Sequence, residues 1–245
     1  MALSDTNLRE RKFHNELHSS GKERAQNKFY KALYNLNKDF INLIKVNAKS
    51  VDVLDYGCGS GNFAKEVSLF EPKKITAVDI SEQAIKRAKD KLENPKINFK
   101  VDNCENLSLE SNTFDIAYGS GILHHLDLKK SLGELNRVLK KNGIIVFAEP
   151  LATNPLINIY RKFTPGARSA DEHPFKFDDI YLIKSEFKNV EIKYYGFLTL
   201  IFLPFYKSPE NSNLFKILSS LDNLLFKIKF LKFLAWSILI KGQKN

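Results

Sequence analysis

Short apolar runs alternate with stretches in which apolar side chains return every three to four residues through the middle of the chain. The runs predict β-strands, and the periodic stretches predict amphipathic helices. We expect strands at 51–56, 75–80, 97–102, 114–118 and 143–148, with helices at 62–70, 81–92 and 128–140. This alternation is typical of a parallel sheet with helices on both faces, so the predicted fold class is α/β, doubly wound.

Two local signals set the expected ends of these helices. Ser81 precedes Glu82 and Gln83, which is a typical start for the helix 81–92. Asn142 is followed by Gly143, and both residue types tolerate the left-handed backbone of a helix end. The sequence therefore predicts that the helix 128–140 ends just before the fifth strand.

The flanks of this core have patterns of their own. Residues 8–46 carry an apolar stripe at helical spacing that is interrupted near 19–21. Residues 197–233 are rich in apolar and aromatic side chains with lysines between them. In that segment two stripes recur at helical spacing, Leu214, Ile217, Leu218, Leu221, Leu224, Leu225, Ile228 and Leu231 in the first, and Phe226, Phe230 and Phe233 in the second.

Composition adds little to the choice of function. The net charge of +10 is compatible with nucleic acid, an anionic membrane or an acidic substrate, but the excess consists largely of scattered lysines and is typical of a lysine-rich composition. The two cysteines have no disulfide or metal spacing, which favours a reducing cytoplasm. We expect neither a secretory signal at the start of the chain nor a transmembrane helix.

The residues with the strongest chemical signal follow the first predicted strand. The sequence VLDYGCGSGN at 53–62 joins that strand to a glycine-rich turn, with Asp55 two residues before Gly57. In a dinucleotide site such a turn holds a pyrophosphate, which a neighbouring carboxylate would repel. The spacing of Gly57, Gly59 and Gly61 also departs from G-x-G-x-x-G. S-adenosylmethionine (SAM) has an ammonium and a sulfonium and no phosphate, so an acid at this turn suits it.

Three further segments extend this signal, namely KITAVDI at 74–80, INFKVD with NCENL at 97–107, and the stretch from the fourth to the fifth strand at 114–150. In this order, they resemble the motifs of class I (Rossmann-like) SAM-dependent methyltransferases, in the type 11 branch that includes quinone-biosynthesis enzymes. The resemblance covers residues 51–150 and implies a seven-stranded, mostly parallel sheet. Residues 190–196 and 234–240 are then candidates for a final antiparallel hairpin.

The length of 245 residues fits one large α/β domain with additions, so we expect a single domain over residues 1–245. Residues 8–46 would form a helical cap over the cofactor, and residues 47–150 the SAM-binding core. Residues 151–245 would supply substrate-side additions, including a helical insertion before the last strand.

The cofactor contacts follow from the resemblance, residue by residue. Asp55 would lie near the methionine ammonium and Asp79 on the ribose hydroxyls. Asn103 would accept from the adenine amino group, where the family commonly has Asp, because an amide oxygen is also an acceptor. The remaining expected cofactor contacts are Gly57, Cys58, Gly59, Ile80, Cys104 and Gly119.

Candidate catalytic residues come from the loops at the carboxyl ends of the strands, where ligands bind in such sheets. A general base is needed only if the acceptor must lose a proton. The candidates are His125, Glu149 and His173, each with a plain structural alternative. Tyr160 and Arg161 are candidates for an anionic acceptor group.

One pair of histidines raises the question of a metal. His14 and His18 are four residues apart and would share a helix face. Because no further ligand cluster is visible in the sequence, a surface pair is favoured and no metal is predicted.

We expect a SAM-dependent methyltransferase whose acceptor is a small hydrophobic or lipid-like molecule. The expectation rests on the apolar insertion, which would close a hydrophobic pocket unless its stripe simply packs on the sheet. Lys227, Lys229 and Lys232 beside phenylalanines also suggest that residues 214–236 contact a membrane surface. The alternatives are an RNA methyltransferase, against which no base-methylation motif follows the fourth strand, and a non-catalytic SAM-binding subunit. The expected location is cytoplasmic or membrane-peripheral, and no oligomeric state is predicted.

Overall fold

The centre of the computed structural model is a seven-stranded sheet. The structure describes residues 3–19, 28–164, 166 and 168–245. Five parallel strands are extended at one edge by an antiparallel hairpin. The strand order across the sheet is β3-β2-β1-β4-β5-β7-β6. The strands are β1 (Asp52–Tyr56), β2 (Lys74–Asp79), β3 (Ile97–Val101), β4 (Phe114–Ser120), β5 (Leu139–Pro150), β6 (Lys188–Tyr195) and β7 (Ser237–Gln243). The predicted α/β class and the final hairpin are confirmed.

Nine α-helices are seen in the described part of the chain. They are α1 (Asp5–Ser19), α2 (Tyr34–Ala48), α3 (Asn62–Ser68), α4 (Glu82–Lys91), α5 (Leu128–Val138), α6 (Pro155–Phe163), α7 (Phe177–Glu186), α8 (Leu198–Ile201) and α9 (Asn213–Leu225). A 3-10 segment, Lys28–Leu33, precedes α2, and another, Lys229–Leu234, follows α9. The predicted break in the N-terminal helices at 19–21 falls largely outside the described residues.

The sheet is buried on both faces because successive side chains of a strand point to opposite sides. In β1, Val53 packs into the core beneath α2 and α3, whereas Leu54 packs into the core beneath α5 and α7. In β5, Val146 and Phe147 divide in the same way. The unbroken apolar runs in the sequence are therefore the expected signature of central parallel strands.

The helix before the fifth strand ends earlier than predicted, and the strand begins earlier. The helix stops at Val138, and Leu139 already pairs with Phe114 of β4. Asn142 does adopt a positive φ of 64°, but it does so inside β5, not at the helix end. The ladder between β4 and β5 changes register next to Phe114, so the backbone irregularity that the Asn-Gly signal predicted is a distortion of the strand.

The apolar insertion before β7 is also built differently from the prediction. Helix α9 buries Phe215 and Leu218, whereas Ile217 and Leu224 are each 59% exposed. The buried face also carries Asp222, whose carboxylate accepts backbone N–H groups from residues 197–199. The stripe that we expected to close a pocket or to pack on the sheet is thus divided. Leu218 is buried together with Phe215 and the polar anchor, whereas Leu214, Ile217, Leu221, Leu224 and Ile228 are exposed.

The second stripe of the insertion is divided as well. Phe226 is buried in the core, while Phe230 is 73% exposed. Lys232 lies over the ring of Tyr194, with Nζ 5.1 Å from the ring centroid. The exposed apolar side chains of this region therefore come mainly from α9 and from the segment directly after it.

The length and hydropathy of each helix determine whether it could cross a membrane. Within the ranges that the structure describes, every helix is too short or too polar to traverse a lipid bilayer.

Two glycines provide a test of how tightly the core is packed. A Cβ at Gly119 would lie 2.6 Å from the carbonyl oxygen of Tyr56. A Cβ at Gly133, on the exposed face of α5, would meet nothing within 4 Å. We expect Gly119→Ala to lower the free energy of unfolding by about 1–3 kcal/mol, because the obstacle is backbone. We expect Gly133→Ala to raise it by up to about 1 kcal/mol through helix propensity. Urea denaturation of both variants checks this pair, and equal effects would contradict it.

Candidate functional site

A cavity opens at the carboxyl ends of β1, β2 and β4, where the strand order reverses direction. This is the position at which open α/β sheets bind their ligands. We name it the glycine-loop cavity, and its volume is about 280 Å³. Among the residues that line it are seven of the predicted cofactor contacts, Gly57, Cys58, Gly59, Asp79, Ile80, Asn103 and Cys104.

The glycine loop is shaped by backbone conformations that favour glycine. Gly57, Gly59 and Gly61 all have positive φ, at 78°, 51° and 78°. A Cβ at Gly57 would meet the side chain of Ile122 at 2.5 Å, whereas a Cβ at Gly59 would lie 3.8 Å from the nearest atom, on His18. Gly57 is therefore required both by its φ and by close packing, and Gly59 leaves the loop open to the cavity.

Asp79 links the end of β2 to the glycine loop. Its Oδ2 accepts the N–H of Gly59 at 2.9 Å, and its Oδ1 accepts the N–H of Ser81 at 2.9 Å. Each carboxylate oxygen can accept more than one hydrogen bond, so both remain able to accept ligand hydroxyls. The carboxylate is thus held in a fixed position on the cavity wall, as a ribose contact requires.

The turn after β3 forms the next part of the wall. Asn103 Oδ1 accepts the N–H of Glu105 at 3.0 Å, and its Nδ2 donates to Oδ1 of Asn7 in α1 at 3.3 Å. The amide is therefore oriented by both neighbours. Cys104 is buried beside it, and burial raises the pKa of its thiol well above the ordinary value. This cysteine therefore lines the cavity as a neutral group.

Two predicted contacts do not line the cavity. Asp55 is 2% exposed, and its Oδ2 accepts the hydroxyl of Tyr118 at 2.9 Å beneath the loop. Gly119 packs against the carbonyl of Tyr56 and the ring of Phe147. Asp55 is thus a buried partner of Tyr118, and Gly119 serves the packing of the sheet.

Helix α1 forms the roof of the glycine-loop cavity, and besides His14 and His18 it supplies residues that the sequence did not single out. Its inward side chains are Asn7, Glu10, His14, Leu17 and His18. The helix is tied to α4 by Asn15, whose Oδ1 accepts the Ser81 hydroxyl at 2.6 Å. The spacing of His14 and His18 was the one sequence signal that this helix has a chemically active face.

A second and larger cavity adjoins the first. We name it the aromatic cavity, and its volume is about 1100 Å³. It lies between the 3-10 segment before α2, helix α6 and the end of β5. Its aromatic lining consists of Phe13, Phe29, Tyr30, Phe63, Tyr160, Phe163 and Trp236. The insertion at 197–233, which we expected either to close a hydrophobic pocket or to pack on the sheet, contributes no residue to this lining, and helix α6 contributes four.

His124 and Glu149 form the buried polar end of the aromatic cavity. His124 Nδ1 and Glu149 Oε2 are 2.6 Å apart, and Glu149 Oε1 accepts the N–H groups of Ile122 and Leu123 at 3.1 and 2.9 Å. Burial raises the pKa of Glu149 to about 7, although these hydrogen bonds favour its charged form. Nδ1 is engaged by Glu149, and Nε2 lies on the other side of the ring, 3.9 Å from Oε1 of Glu172.

The neighbouring histidines have different positions. His125 faces the glycine-loop cavity, with Nδ1 3.2 Å from Oε2 of Glu10. Burial lowers the pKa of His125, which favours the neutral ring. His173 is exposed, and its Nδ1 lies 2.5 Å from the carbonyl oxygen of Asp171. The structure thus brings Glu149 together with His124, a residue we did not select, places His125 on the other cavity and leaves His173 outside both.

The candidate acceptor residues on α6 also lie at the aromatic cavity. Tyr160 and Arg161 are both part of its lining. Arg161 donates to the carbonyl of Leu151 at 3.0 Å and to Oδ1 of Asn158 at 2.9 Å. Burial lowers the pKa of its guanidinium, so the structure holds this cation in a partly desolvated position.

These features define a class of protein. A parallel sheet ending in an antiparallel hairpin, a glycine-rich loop after β1 and an acid at the end of β2 are the arrangement of Rossmann-like, class I SAM-dependent methyltransferases. The neighbouring aromatic cavity provides room for a second ligand.

Comparison with known proteins agrees with this class. Residues 54–147 match a family model described as a methyltransferase domain. The uncharacterized protein MJ1252 of Methanocaldococcus jannaschii is 40% identical over 96 residues, which cover 39% of this chain and 35% of that protein. Demethylmenaquinone methyltransferase of Bacteroides fragilis is 34% identical over 103 residues, which cover 40% of this chain and 42% of the relative. The chain thus spans less than half the length of these relatives.

A solved structure shows the same fold over most of the chain. The crystal structure of a SAM-dependent methyltransferase from Mesorhizobium loti has a TM-score of 0.63 at 16% identity, covering 87% of this chain and 98% of that chain. The chain therefore carries a class I methyltransferase domain, and SAM is the cofactor of that domain. The predicted family and cofactor are confirmed.

The buried Asp55 gives a prediction about pH. Burial raises its pKa to about 7 from an ordinary value of 3.8, and the charge of Asp79 adds to the effect. The folded state therefore holds this proton more tightly than the unfolded chain does. Its contribution to stability is complete below pH 3.8 and is lost as the pH rises through 7.

We expect the stability of the wild type to fall across this window relative to Asp55→Asn, which keeps an acceptor for Tyr118 but cannot titrate. Urea unfolding of both proteins between about pH 4 and 8 measures the difference. A constant difference across the window would contradict the prediction.

Proposed function

We propose that this chain transfers the methyl group of SAM to a small hydrophobic acceptor bound in the aromatic cavity. The observation that carries the proposal is that the two cavities share a wall, formed by Leu17, Phe63, Ser120 and Gly121. Methyl transfer is an in-line displacement, so donor and acceptor must meet across a short contact with fixed geometry. Adjoining cavities that share four residues provide such a contact.

The lining of the aromatic cavity supports an acceptor with an apolar body. Its aromatic rings are accompanied by Leu33, Leu36 and Ile157, and its volume is that of a site for a molecule of moderate size. The Bacteroides fragilis relative is named for demethylmenaquinone, which is consistent with this class of acceptor. The proposed class of acceptor thus rests on the apolar side chains of the 3-10 segment before α2 and of α6. It does not rest on the insertion at 197–233.

The polar end of the cavity supports a reactive group on the acceptor that loses a proton. His124 lines the cavity, and its ring is oriented by Glu149. In this arrangement His124 is the candidate general base, and Glu149 is a positioning residue that fixes which nitrogen carries the proton. The predicted contact of residues 214–236 with a membrane stays a prediction.

The proposal is tested with isotopically labelled SAM and two acceptor series, 4-alkylcatechols and alkylamines, with tails of increasing length. We expect transfer in one series, with kcat/KM rising about fourfold for each added methylene until the cavity is filled, since each buried methylene contributes about 0.8 kcal/mol. Asp79→Ala is expected to lose SAM binding in calorimetry and with it the transfer. Transfer independent of tail length, transfer to RNA instead, or SAM binding without transfer to either series would contradict the proposal.

The role of Glu149 gives a separate prediction. In Glu149→Gln the amide oxygen can still accept the N–H groups of Ile122 and Leu123, so the turn is retained. The amide N–H then faces Nδ1 of His124, which forces the proton onto Nε2 and removes the base. We expect kcat to fall by about 10²–10⁴ with KM for the acceptor and affinity for SAM little changed.

The matched control is Glu93→Gln, since Glu93 is exposed and lines neither cavity. It is expected to retain the activity of the wild type. A Glu149→Gln enzyme with unchanged kcat would show that His124 takes no proton from the acceptor.

A further inference from the structure

We propose that Glu10, His14 and His125 bind one divalent transition-metal ion on the wall of the glycine-loop cavity. Glu10 and His14 come from α1, and His125 comes from the turn after β4. Their ligand atoms all lie within 4.8 Å of one another. Imidazole nitrogens with one carboxylate are a donor set that zinc and its first-row neighbours favour.

Two buried atoms of this cluster have no hydrogen bond within the part of the chain that the structure describes. Glu10 and His125 are each 4% exposed. Among the described residues, neither Glu10 Oε2 nor His125 Nδ1 has a hydrogen-bond partner. The other oxygen of Glu10 accepts the hydroxyl of Ser169 at 2.5 Å, which fixes Oε2 in its position toward the histidines. Buried polar atoms left in this way are costly unless a further group satisfies them.

The donor atoms of the cluster are close enough to share one ion. Glu10 Oε2 lies 3.2 Å from His125 Nδ1 and 3.4 Å from His14 Nε2. A tetrahedral ion with ligand distances of about 2.1 Å separates its ligand atoms by about 3.4 Å. Two of the three donor separations thus match those around such an ion, and the third, between His14 and His125, is within 4.8 Å. An ion beside the three atoms would replace the two contacts of Glu10 by three ligand bonds.

A second group of candidate ligands shares His125 but is less suitable. It consists of His124, His125 and Glu172. There the nearest distances between the histidine nitrogens and the carboxylate are 3.9 Å, and Nδ1 of His124 is already engaged by Glu149. The structure thus favours the site at Glu10, and His125 would use Nδ1 as its ligand atom.

Such an ion would join elements that are far apart in the chain. It would hold α1, the roof of the cavity, to the turn after β4. The coordination positions not filled by protein would face the cavity, where water or an oxygen of a bound molecule could occupy them. This inference does not depend on the identity of the acceptor, and it concerns binding by the folded protein alone.

The test is a titration of the full chain, treated with EDTA and then freed of it, with Co²⁺ and Zn²⁺. We expect one ion per chain by elemental analysis and a visible Co²⁺ absorption typical of four-coordinate nitrogen and oxygen ligation. Glu10→Gln and His14→Ala are expected to weaken binding by on the order of 100-fold or more, since each removes a direct ligand. Zn²⁺ should also raise the melting temperature of the wild type more than that of the variants.

His173→Ala is the matched control, since it removes an exposed histidine outside the cluster, and we expect its metal binding to be unchanged. Circular dichroism of each variant establishes that it is folded. Absence of stoichiometric binding by the wild type would overturn the proposal. Binding that persists in folded Glu10→Gln and His14→Ala, or that is lost in His173→Ala, would also overturn it.

Discussion

The carboxylate of Glu149 is the interaction on which the site depends. It is buried at the end of β5, where it accepts two backbone N–H groups of the turn after β4 and lies against the ring of His124. That turn places Ile122 against Gly57 and places Gly121 on the wall between the two cavities. A single side chain of one strand thus fixes the turn that borders both the glycine loop and the shared wall, and it orients the histidine. Because the group is desolvated, loss of its partners would leave a buried charge, which is strongly unfavourable.

The sequence predicted the sheet well because the information is local. Each central strand is an apolar run between turn residues, and burial on both faces makes such a run unambiguous. The errors lie where two local signals compete. The residues Asn142 and Gly143 predict a positive φ, but not whether it falls at a helix end or inside a strand. Because Leu139 already pairs with Phe114, this position lies inside the strand. In α9 both faces are apolar, and the choice is made by Asp222, whose partners lie at the start of α8.

The candidate site shows the same division between local and distant information. Gly57, Asp79 and Asn103 lie in motifs whose residues are adjacent in the chain, so their place on the cavity could be predicted from the sequence. Helix α1 packs on the turn after β4 and so brings Glu10 next to His125, which is more than a hundred positions away in the chain. Such a contact cannot be predicted from the spacing of residues along the sequence. His124 and His125 could not be told apart from sequence because consecutive residues of a tight turn point into different surroundings. Only the positions of Glu149 and Glu10 assign one ring to each cavity.

The attachment of α1 has a consequence for the rate at which ligands exchange. Its outer contacts are surface pairs, such as the paired hydrogen bonds between Arg9 and Asp171 and the contact between Asn15 and Glu82. Pairs of this kind contribute little individually. Arg9 and Asp171 line neither cavity, so substitutions at this pair change how firmly the roof is held, and with it the exchange of a molecule beneath it, while every lining residue stays in place.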